Sequence, residues 1–426
     1  MKIQVLSLLL LGTFPVVGCF ADRTNPIENR LDARIRWVTE IGSPIFYGSP
    51  ALSNDGQTAY VGTSFSPQAA VPHQHSLVAL DVATGAQRWR FNLGAAEVRS
   101  TPAVAPDGSI TLLAEERSPT GGFVSAAAIR VSSAGALVWR RELGIAGSPV
   151  DVGFSAPAIG ADGSVYIATD SLYALNPDGT VRWSRFANGE DLRSSAAIGG
   201  DGTIYFASRN IPLTAMHPDS GRVLWERPLG GQGYVFAAPA IGTDGTIYVA
   251  TDECVLYAVS SAGVSQWSYD AGTSGSTCTM RSSPAVGADG TIYLGTSDRT
   301  PRPVLFAIRS TGALRWTYTP SGMPIDVGPT EFEIYSSPAI GSDGAIYFGQ
   351  EFGRVYAVDS QAGAERWVVR TLGSILWSSP TLTVGGIMVI SDVQGRVYGI
   401  TTESAGLQGT SPWPRYRGGN RSAGRR

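Results

Sequence analysis

The chain has 426 residues, of which 43% are hydrophobic and 16% are charged, and its formal net charge is −3. This composition is typical of a globular protein, and the charge excludes a basic surface that would attract nucleic acid or an anionic membrane. The 52 glycines and 26 prolines indicate many turns. Length alone would suggest two or three domains of about 150 residues each, but an internal repeat replaces that expectation.

The N-terminus has the pattern of an export signal. Lys2 precedes the apolar run IQVLSLLLLGTFPVV, which is followed by Gly18 and Cys19. A positive start, an apolar stretch shorter than a comfortable membrane span and a small residue before the cut are the parts of such a signal. VVGC also resembles the bacterial lipobox, in which the cysteine after the cut is acylated. An ordinary signal peptide that is cleaved at another bond is the alternative.

We therefore predict a lipoprotein signal peptide at residues 1–18, lipid attachment at Cys19 and a tether over residues 19–33. Phe20 follows the cysteine, where an aspartate would favour retention in the inner membrane. By resemblance to the lipoprotein sorting rule, this implies an exported protein that is anchored to the outer membrane and faces the periplasm.

A motif such as RSSPAVGADGTIYLGTS occurs in eight copies along the sequence. Each copy contains a short strand with a leading proline or its equivalent and an alternating strand such as TIYVAT, and seven of the eight place Asp-Gly between them. These are hairpin signals. A third strand, a glycine turn and a fourth strand with a tryptophan follow. The repeat tryptophans are Trp37, Trp89, Trp139, Trp183, Trp225, Trp267, Trp316 and Trp367.

The tryptophans recur at intervals of 42 to 52 residues, which is the length of one four-stranded propeller blade. The repeat predicts an all-β fold, an eight-bladed β-propeller of four-stranded antiparallel blades over residues 34–402. The last repeat ends at RVYGITT without a Trp strand, so Arg34–Ile41 is predicted to complete that blade and close the ring. Trp413 is a rival for this strand, but prolines flank it, and we predict that residues 403–426 form a packed tail.

One repeat carries a recognisable family motif. ALDVATGAQRW, with Ala79, Asp81, Thr84, Gly85 and Trp89, fits the A-x-D-x-x-T-G-x-x-x-W docking motif of pyrroloquinoline-quinone-like (PQQ-like) propeller repeats. AVDSQAGAERW is a looser copy, and WPRYRGGNRSAG resembles the closing segment of many such exported bacterial proteins. The protein thus resembles a PQQ-like β-propeller repeat protein, similar to the outer-membrane assembly lipoprotein branch. The resemblance implies the fold, but dehydrogenases and cofactor-free scaffolds share this repeat.

The loops of the predicted blades differ between the two faces. If the strands are named A to D from the axis outward, the A–B and C–D turns are short and share one face. The B–C and D–A connections share the other face and are long in several blades, so that face is the candidate for function. Cys254 and Cys278 both fall on it, in neighbouring segments, and we predict a disulfide between them. A reactive thiol is the alternative, although no histidine lies near either cysteine in sequence.

The residue three positions before each proline, or its equivalent, begins an innermost strand at the channel mouth. Around the ring, aromatic residues and arginines alternate through seven blades, and a tryptophan breaks the pattern at the eighth. The candidate binding residues are Tyr47, Arg99, Phe154, Arg193, Phe236, Arg281, Tyr335 and Trp377. Arginines among aromatic faces are suited to a carboxylate, an anionic aromatic ligand or the side groups of a peptide. A structural reading is that the aromatics wedge between blades and the arginines stack on them or cap carbonyls.

Residues for catalysis or metal binding are sparse. His73 and His75 form an H-x-H pair in the first long loop, and His217 lies by a turn on the other face, so we predict no metal site and no Ser-His-Asp triad. By resemblance, a PQQ-dependent dehydrogenase would need an adjacent Cys-Cys pair, a Ca²⁺ site and an aspartate base, which this sequence does not match. Trp377 alone could imitate the tryptophan beneath the cofactor.

The sequence therefore favours a non-catalytic exported lipoprotein scaffold that needs no cofactor and binds a protein partner in the cell envelope. Its expected role is in envelope or outer-membrane protein assembly, as a monomeric propeller that reaches the membrane only through its lipid and binds no nucleic acid. Two alternatives stay open. One is a PQQ-dependent quinoprotein oxidoreductase with Ca²⁺, and the other is a sensor for a small ligand or a carbohydrate.

Overall fold

The computed structural model describes residues 32–64, 75–117, 123–144, 155–186, 192–208, 211–230, 234–272, 278–297, 305–320 and 334–425. These residues form strands β1 to β33 and no helix. Accordingly, there is no helix among them that could cross a membrane. The predicted lipid site Cys19, the mouth residue Phe154 and His73 lie outside the described residues.

The strands follow the predicted repeat from the first blade to the fourth. Strand β1 covers Ile35–Glu40. Blade 1 contains β2 (Ala51–Leu52), β3 (Thr58–Gly62), β4 (His75–Asp81) and β5 (Gln87–Gly94). Blade 2 contains β6 (Ala96–Glu97), β7 (Ala103–Val104), β8 (Ile110–Arg117), β9 (Phe123–Val131) and β10 (Leu137–Leu143). Blade 3 contains β11 (Ala158–Ile159), β12 (Val165–Ala168), β13 (Ser171–Leu175) and β14 (Val181–Phe186). Blade 4 contains β15 (Ala197–Ile198), β16 (Ile204–Ser208), β17 (Ile211–Met216) and β18 (Val223–Arg227).

The remaining four blades have the same form. Blade 5 contains β19 (Ala240–Ile241), β20 (Ile247–Ala250), β21 (Val255–Val259) and β22 (Ser265–Asp270). Blade 6 contains β23 (Ala285–Val286), β24 (Ile292–Gly295), β25 (Leu305–Ile308) and β26 (Leu314–Tyr318). Blade 7 contains β27 (Ala339–Ile340), β28 (Ala345–Gln350), β29 (Arg354–Asp359) and β30 (Glu365–Arg370). Blade 8 contains β31 (Thr381–Leu382), β32 (Ile387–Ser391) and β33 (Arg396–Thr401).

The fourth strand of blade 8 comes from the N-terminal end of the propeller. The sheet order is β1-β33-β32-β31, and β1 pairs antiparallel with β33, with Val38 opposite Tyr398 and Glu40 opposite Arg396. The prediction of an eight-bladed, all-β propeller closed by the N-terminal strand is therefore confirmed. Pairing of the two ends covers the edge that β33 would otherwise expose.

The repeat tryptophans connect each blade to the next. The indole of Trp139 lies under the turn of blade 3, where Gly179 has a φ of +83° and a Cβ would lie 2.7 Å from the ring. Only glycine allows both this backbone and this approach. The indole Nε1 donates to a carbonyl of the neighbouring turn in seven blades. These pairs are Trp37 to Val82, Trp89 to Ser133, Trp139 to Pro177, Trp183 to Pro218, Trp225 to Ser261, Trp267 to Ser310 and Trp316 to Ser360.

The eighth tryptophan has a different acceptor because of the ring closure. Blade 8 has no turn between its third and fourth strands, since those strands belong to opposite ends of the propeller. Trp367 Nε1 instead donates to the Glu403 carboxylate at 3.0 Å, just after β33. Arg34 pairs with the same carboxylate at 2.7 Å and stacks over the Trp367 ring. Residues from both ends of the propeller thus stabilise the point of closure.

The C-terminal segment closes the channel at the face of the short turns. Backbone N–H groups near the ends of the inner strands donate to carbonyls of this segment. These pairs are Leu52 to Asn420, Val104 to Arg421, Ile159 to Ala423, Ile198 to Gly424, Val286 to Trp413 and Ile340 to Pro414. Trp413, Arg415 and Arg417 are fully buried, at 0% exposure. Trp413 bridges Val286 of an inner strand, so it is not the outer strand of blade 8.

The predicted disulfide is present. Cys254 and Cys278 are bonded with their Cα atoms 5.6 Å apart, and both are buried. Cys254 lies between β20 and β21, and Cys278 lies between β22 and β23. The bond therefore ties a B–C loop to the following D–A connection on the long-loop face.

Candidate binding site at the propeller mouth

Seven of the eight predicted mouth residues are described, and they share one level of the propeller. Tyr47, Arg99, Arg193, Phe236, Arg281, Tyr335 and Trp377 are all half-buried. The residues that follow them are buried, for example Ser194 and Ser282. The seven side chains therefore form the boundary between the packed inner strands and the solvent at the long-loop face. The name mouth ring is used below for these seven residues.

Stacking contacts link the mouth ring from Arg99, through blades 1, 8, 7, 6 and 5, to Arg193. The Arg99 guanidinium lies 4.6 Å from the Tyr47 ring centroid, and Arg193 lies 5.6 Å from that of Phe236. Arg281 lies between two rings, 4.9 Å from the Phe236 centroid and 5.5 Å from that of Tyr335. Each arginine thus lies within cation–π distance of an aromatic ring from a neighbouring blade.

The break in the alternation at blade 8 has a structural counterpart. Trp377 stacks on Tyr335, with centroids 4.4 Å apart and planes inclined by 12°. On its other side, Trp377 contacts Tyr47 at 5.8 Å. Three aromatic residues in succession replace an arginine here and make one wall of the mouth apolar. Among the described residues, the arginines stack on aromatic rings, as in the structural reading of the pattern, and all seven side chains stay partly exposed.

Acidic side chains lie behind two of the arginines. Arg99 is 3.9 Å from Glu97 and 3.6 Å from Glu115, and both carboxylates are almost fully buried. Burial raises the pKa of Asp252, while a hydrogen bond from the Tyr234 backbone and the charge of Arg281 oppose that rise. The ion pairs of Arg99 fix its guanidinium in place and offset its charge.

Below the mouth ring lies a second ring of Ser and Thr hydroxyls. The backbone N–H of one blade donates to the hydroxyl of the next at every junction where the acceptor position holds Ser or Thr. These pairs are Ser49 to Thr101, Ala156 to Ser195, Ala238 to Ser283, Ser283 to Ser337, Ser337 to Ser379 and Ser379 to Ser49. The two junctions without such a bond have Ala156 or Ala238 at the acceptor position. The name hydroxyl ring is used below for Ser49, Thr101, Ser195, Ser283, Ser337 and Ser379.

A small cavity opens between the two rings on the side of blades 5 to 8 and blade 1. It has a volume of about 40 Å³, which is room for about three water molecules. Its walls are Phe236, Arg281, Tyr335, Trp377 and Tyr47, and its lower part contains four members of the hydroxyl ring. Tyr416 of the C-terminal segment also lines it, so the segment that closes the channel reaches this cavity.

The residues at the mouth do not fit the quinone cofactor of the oxidoreductase alternative. The cavity of about 40 Å³ is too small for a tricyclic quinone. The described residues contain no group of three His, Cys, Asp or Glu side chains that could hold a Ca²⁺ ion. Cys254 and Cys278 are bonded to each other 24 positions apart in sequence, so they do not form the adjacent pair that such sites carry.

The two histidines that the structure describes are not brought together. His75 is buried at the start of β4 in blade 1. His217 lies in blade 4, where its Nδ1 accepts the backbone N–H of Asp219 within a turn on the opposite face. Neither belongs to the mouth ring.

Sequence reasoning missed the hydroxyl ring and Tyr416. The signal for the hydroxyl ring was present, since the residue before the proline or its equivalent is Ser or Thr in six of the eight repeats. Tyr416 gave no such signal, because its position depends on where the C-terminal segment crosses the channel.

Comparisons with known proteins agree with this architecture. The family model described as outer membrane protein assembly factor BamB matches residues 168–327. BamB from Moraxella catarrhalis has a similar structure, with a TM-score of 0.58, 15% sequence identity and coverage of 86% of this chain and 100% of that chain. The prediction of a PQQ-like repeat propeller that resembles this branch is confirmed. No curated protein sequence matches this one.

A second structural relative is an enzyme. It is a catalytically inactive variant of virginiamycin B lyase from Staphylococcus aureus in complex with quinupristin. The TM-score is 0.50 and the identity is 13%, with coverage of 70% of this chain and 94% of that chain. At these identities, both structural matches show the fold alone.

Proposed function

We propose that this protein is a non-catalytic exported scaffold that holds a protein partner at the periplasmic side of the outer membrane, in envelope or outer-membrane protein assembly. The observation that carries the proposal is the mouth ring, a partly exposed set of three arginines and four aromatic side chains that are linked by stacking contacts. Tyr, Trp and Arg are the residues that most often dominate the binding energy of protein interfaces.

Hydrogen bonds between blades support the mouth ring from beneath. The hydroxyl ring joins neighbouring blades at six of the eight junctions, and the bond from Ser379 to Ser49, at 2.9 Å, spans the point of ring closure. The C-terminal segment fills the opposite end of the channel. The mouth-ring side chains are themselves restricted by stacking on one another, so they lose less conformational entropy when a partner binds.

The predicted cellular location agrees with this role. The predicted lipid at Cys19 and the tether over residues 19–33 would hold the propeller at the membrane surface, where partners in the cell envelope are found. The family model that matches residues 168–327 is described by its role in outer membrane protein assembly. These points support the cellular location and the class of partner.

The experiment places a photo-cross-linking amino acid at Phe236 of the mouth ring in cells that carry the full-length protein. A matched variant carries it at Val264, which is 57% exposed in the turn that leads to an outer strand. We expect a discrete cross-linked envelope protein from the mouth position and none from the control. The purified pair should then bind at least about tenfold more weakly when Trp377 is changed to Ala.

Two results would contradict the proposal. One is equal cross-linking from Phe236 and Val264, which would indicate random encounters. The other is a saturable shift in melting temperature with PQQ and Ca²⁺, which would revive the oxidoreductase. The address is tested separately by labelling with a fatty-acid analogue, which should mark the wild type and not Cys19→Ser.

A further inference from the structure

The four hydroxyls in the cavity share one hydrogen-bonding state. Ser49, Ser283, Ser337 and Ser379 each accept a backbone N–H from the preceding blade, at 2.8 to 2.9 Å. A hydroxyl that accepts through one lone pair still has its own proton to donate. For these four protons, the described residues offer no acceptor, and all four side chains line the cavity. The cavity therefore contains several O–H donors that a ligand can use.

Arg281 adds a charged donor to the same cavity. Its guanidinium is held between the Phe236 and Tyr335 rings, and its Nε is buried with no hydrogen-bond partner among the described residues. A buried donor without an acceptor destabilises the protein, so a ligand that places an acceptor beside this N–H group would be favoured. The acid that senses its charge, Asp252, is not among the residues that line the cavity.

The charge around the cavity favours an anion. Its lining contains one arginine and no Asp or Glu. The segment below it, residues 404–425, contains Arg415, Arg417, Arg421 and Arg425 and no acidic residue. Arg415 and Arg417 are fully buried, and the acceptors found for them are carbonyl and hydroxyl oxygens. Uncompensated positive charge inside the channel raises the potential at the mouth, because the protein interior screens it weakly.

We infer that this cavity binds a carboxylate group of the partner, either from an Asp or Glu residue or from the partner's own C-terminus. A carboxylate has three heavy atoms and accepts several hydrogen bonds, which matches a cavity of about 40 Å³ with O–H and N–H donors. The Trp377, Tyr335 and Tyr47 wall would pack against the peptide segment that carries the carboxylate. This inference rests on the proposed function and adds the chemistry that the partner presents.

The experiment measures binding of matched peptides to the full-length protein in detergent by titration calorimetry. One pair differs only in Glu or Gln within a capped aromatic-containing pentapeptide, and a second pair differs only in a free or an amidated C-terminus. Acetate is the small-molecule arm. We expect at least one carboxylate form to bind about tenfold or more tightly than its neutral counterpart. Binding of acetate without a preference among the peptides would overturn the assignment to the partner and show a site for a free small carboxylate.

Two substitutions test the assignment to this cavity. Arg281→Met and the double variant Ser283→Ala/Ser337→Ala should each abolish the preference for the carboxylate form. The propeller already tolerates alanine at the equivalent positions Ala156 and Ala238, so the serine variant is expected to fold. Arg140→Gln is the control, since Arg140 is exposed on an outer strand and pairs with Glu142.

The outcomes separate this inference from the proposed function. Equal affinity for charged and neutral peptides, or a carboxylate preference that survives both sets of substitutions, would overturn the inference. If the Phe236 cross-link to the partner nevertheless persists in Arg281→Met, the mouth is still a docking site, and only the proposed recognition of a carboxylate was wrong. Loss of the cross-link in the wild type would instead remove the proposed function, whatever the peptides show.

Discussion

The Arg417 guanidinium donates through Nη1 to the carbonyl oxygen of Ala156 at 2.8 Å, although 261 residues separate them in sequence. Its Nη2 donates to the carbonyl of Pro157, and its Nε donates to Ser422 at 3.0 Å. One arginine of the C-terminal segment thus satisfies two carbonyls at the start of the inner strand of blade 3. The segment belongs to the folded propeller as a central support for the inner strands.

Arg417→Met tests that support. The substitution keeps a long apolar stem but leaves the carbonyls of Ala156 and Pro157 buried without their donors. An unsatisfied buried polar group costs about 1–3 kcal/mol, so the free energy of unfolding should fall by about 3 kcal/mol or more. Urea unfolding followed by tryptophan fluorescence measures it.

The control for Arg417→Met is Arg140→Met. Arg140 is exposed and paired with the exposed Glu142 at 2.6 Å. Exposed ion pairs contribute little, so this change should cost less than about 1 kcal/mol. If the two variants unfold at the same urea concentration, the C-terminal segment does not stabilise the propeller through Arg417.

Gly179→Ala tests the tryptophan docking. Gly179 has a φ of +83°, and a Cβ there would lie 2.7 Å from Cδ2 of Trp139. Gly56 is the matched control, because its φ of +71° imposes the same backbone strain but a Cβ would meet nothing within 4 Å. We expect Gly56→Ala to cost about 1–2 kcal/mol, and Gly179→Ala to cost at least about 2 kcal/mol more because the Trp139 indole must shift. Equal losses in thermal and urea unfolding would mean that the indole has room to move.

The fold could be predicted from the sequence because the signals for each blade lie close together in the chain. The Asp-Gly turns, the alternating strands and the tryptophan define one blade within about 50 residues. The last repeat lacks a fourth strand, which predicted that β1 completes its blade. The two cysteines could be paired for the same reason, since the strand assignment placed Cys254 and Cys278 on one face. The mouth ring could be recognised because its residues occupy one repeated position, and the stacking between neighbouring blades follows from that repetition.

The rest of the site depends on contacts that no local pattern encodes. Tyr416 reaches the cavity only because the C-terminal segment crosses the channel, and the path of that segment is set by hydrogen bonds to inner strands throughout the ring. The residues of the hydroxyl ring could be seen in the sequence as a Ser or Thr before the proline or its equivalent. Their hydrogen bonds could not be predicted, because they depend on which blades are neighbours, as when Ser49 lies beside Ser379 across the ring closure.

Alkaline pH should unfold the propeller through its buried tyrosines. Burial raises the pKa of Tyr166, Tyr248 and Tyr293 to about 12, from a usual value near 10. Between about pH 10 and 12 the unfolded protein loses these phenol protons while the folded protein keeps them, so the free energy of unfolding falls as the pH rises. The stabilisation is complete below about pH 10. Urea unfolding from pH 8 to 12, with tyrosinate absorbance, follows both events.

Tyr293→Phe isolates one of these groups. Its hydroxyl donates to the Ser360 carbonyl at 3.2 Å, so the substitution should cost about 1 kcal/mol at pH 8. Above pH 10, the variant should lose less stability per pH unit than the wild type, because one raised pKa is gone. A wild-type pH slope in Tyr293→Phe would show that this residue does not titrate with unfolding.

The Cys254–Cys278 disulfide should contribute to the free energy of unfolding. It closes a loop with a sequence separation of 24, for which the expected loss of unfolded-state entropy is worth about 3 kcal/mol. We expect Cys254→Ser/Cys278→Ser to lower the free energy of unfolding by about that amount under oxidising conditions. Dithiothreitol should lower the wild type to the same value and leave the variant unchanged. If the wild type and the variant match before reduction, the bond either does not form in the purified protein or does not contribute to stability. Measuring free thiols in the unfolded wild type decides between the two.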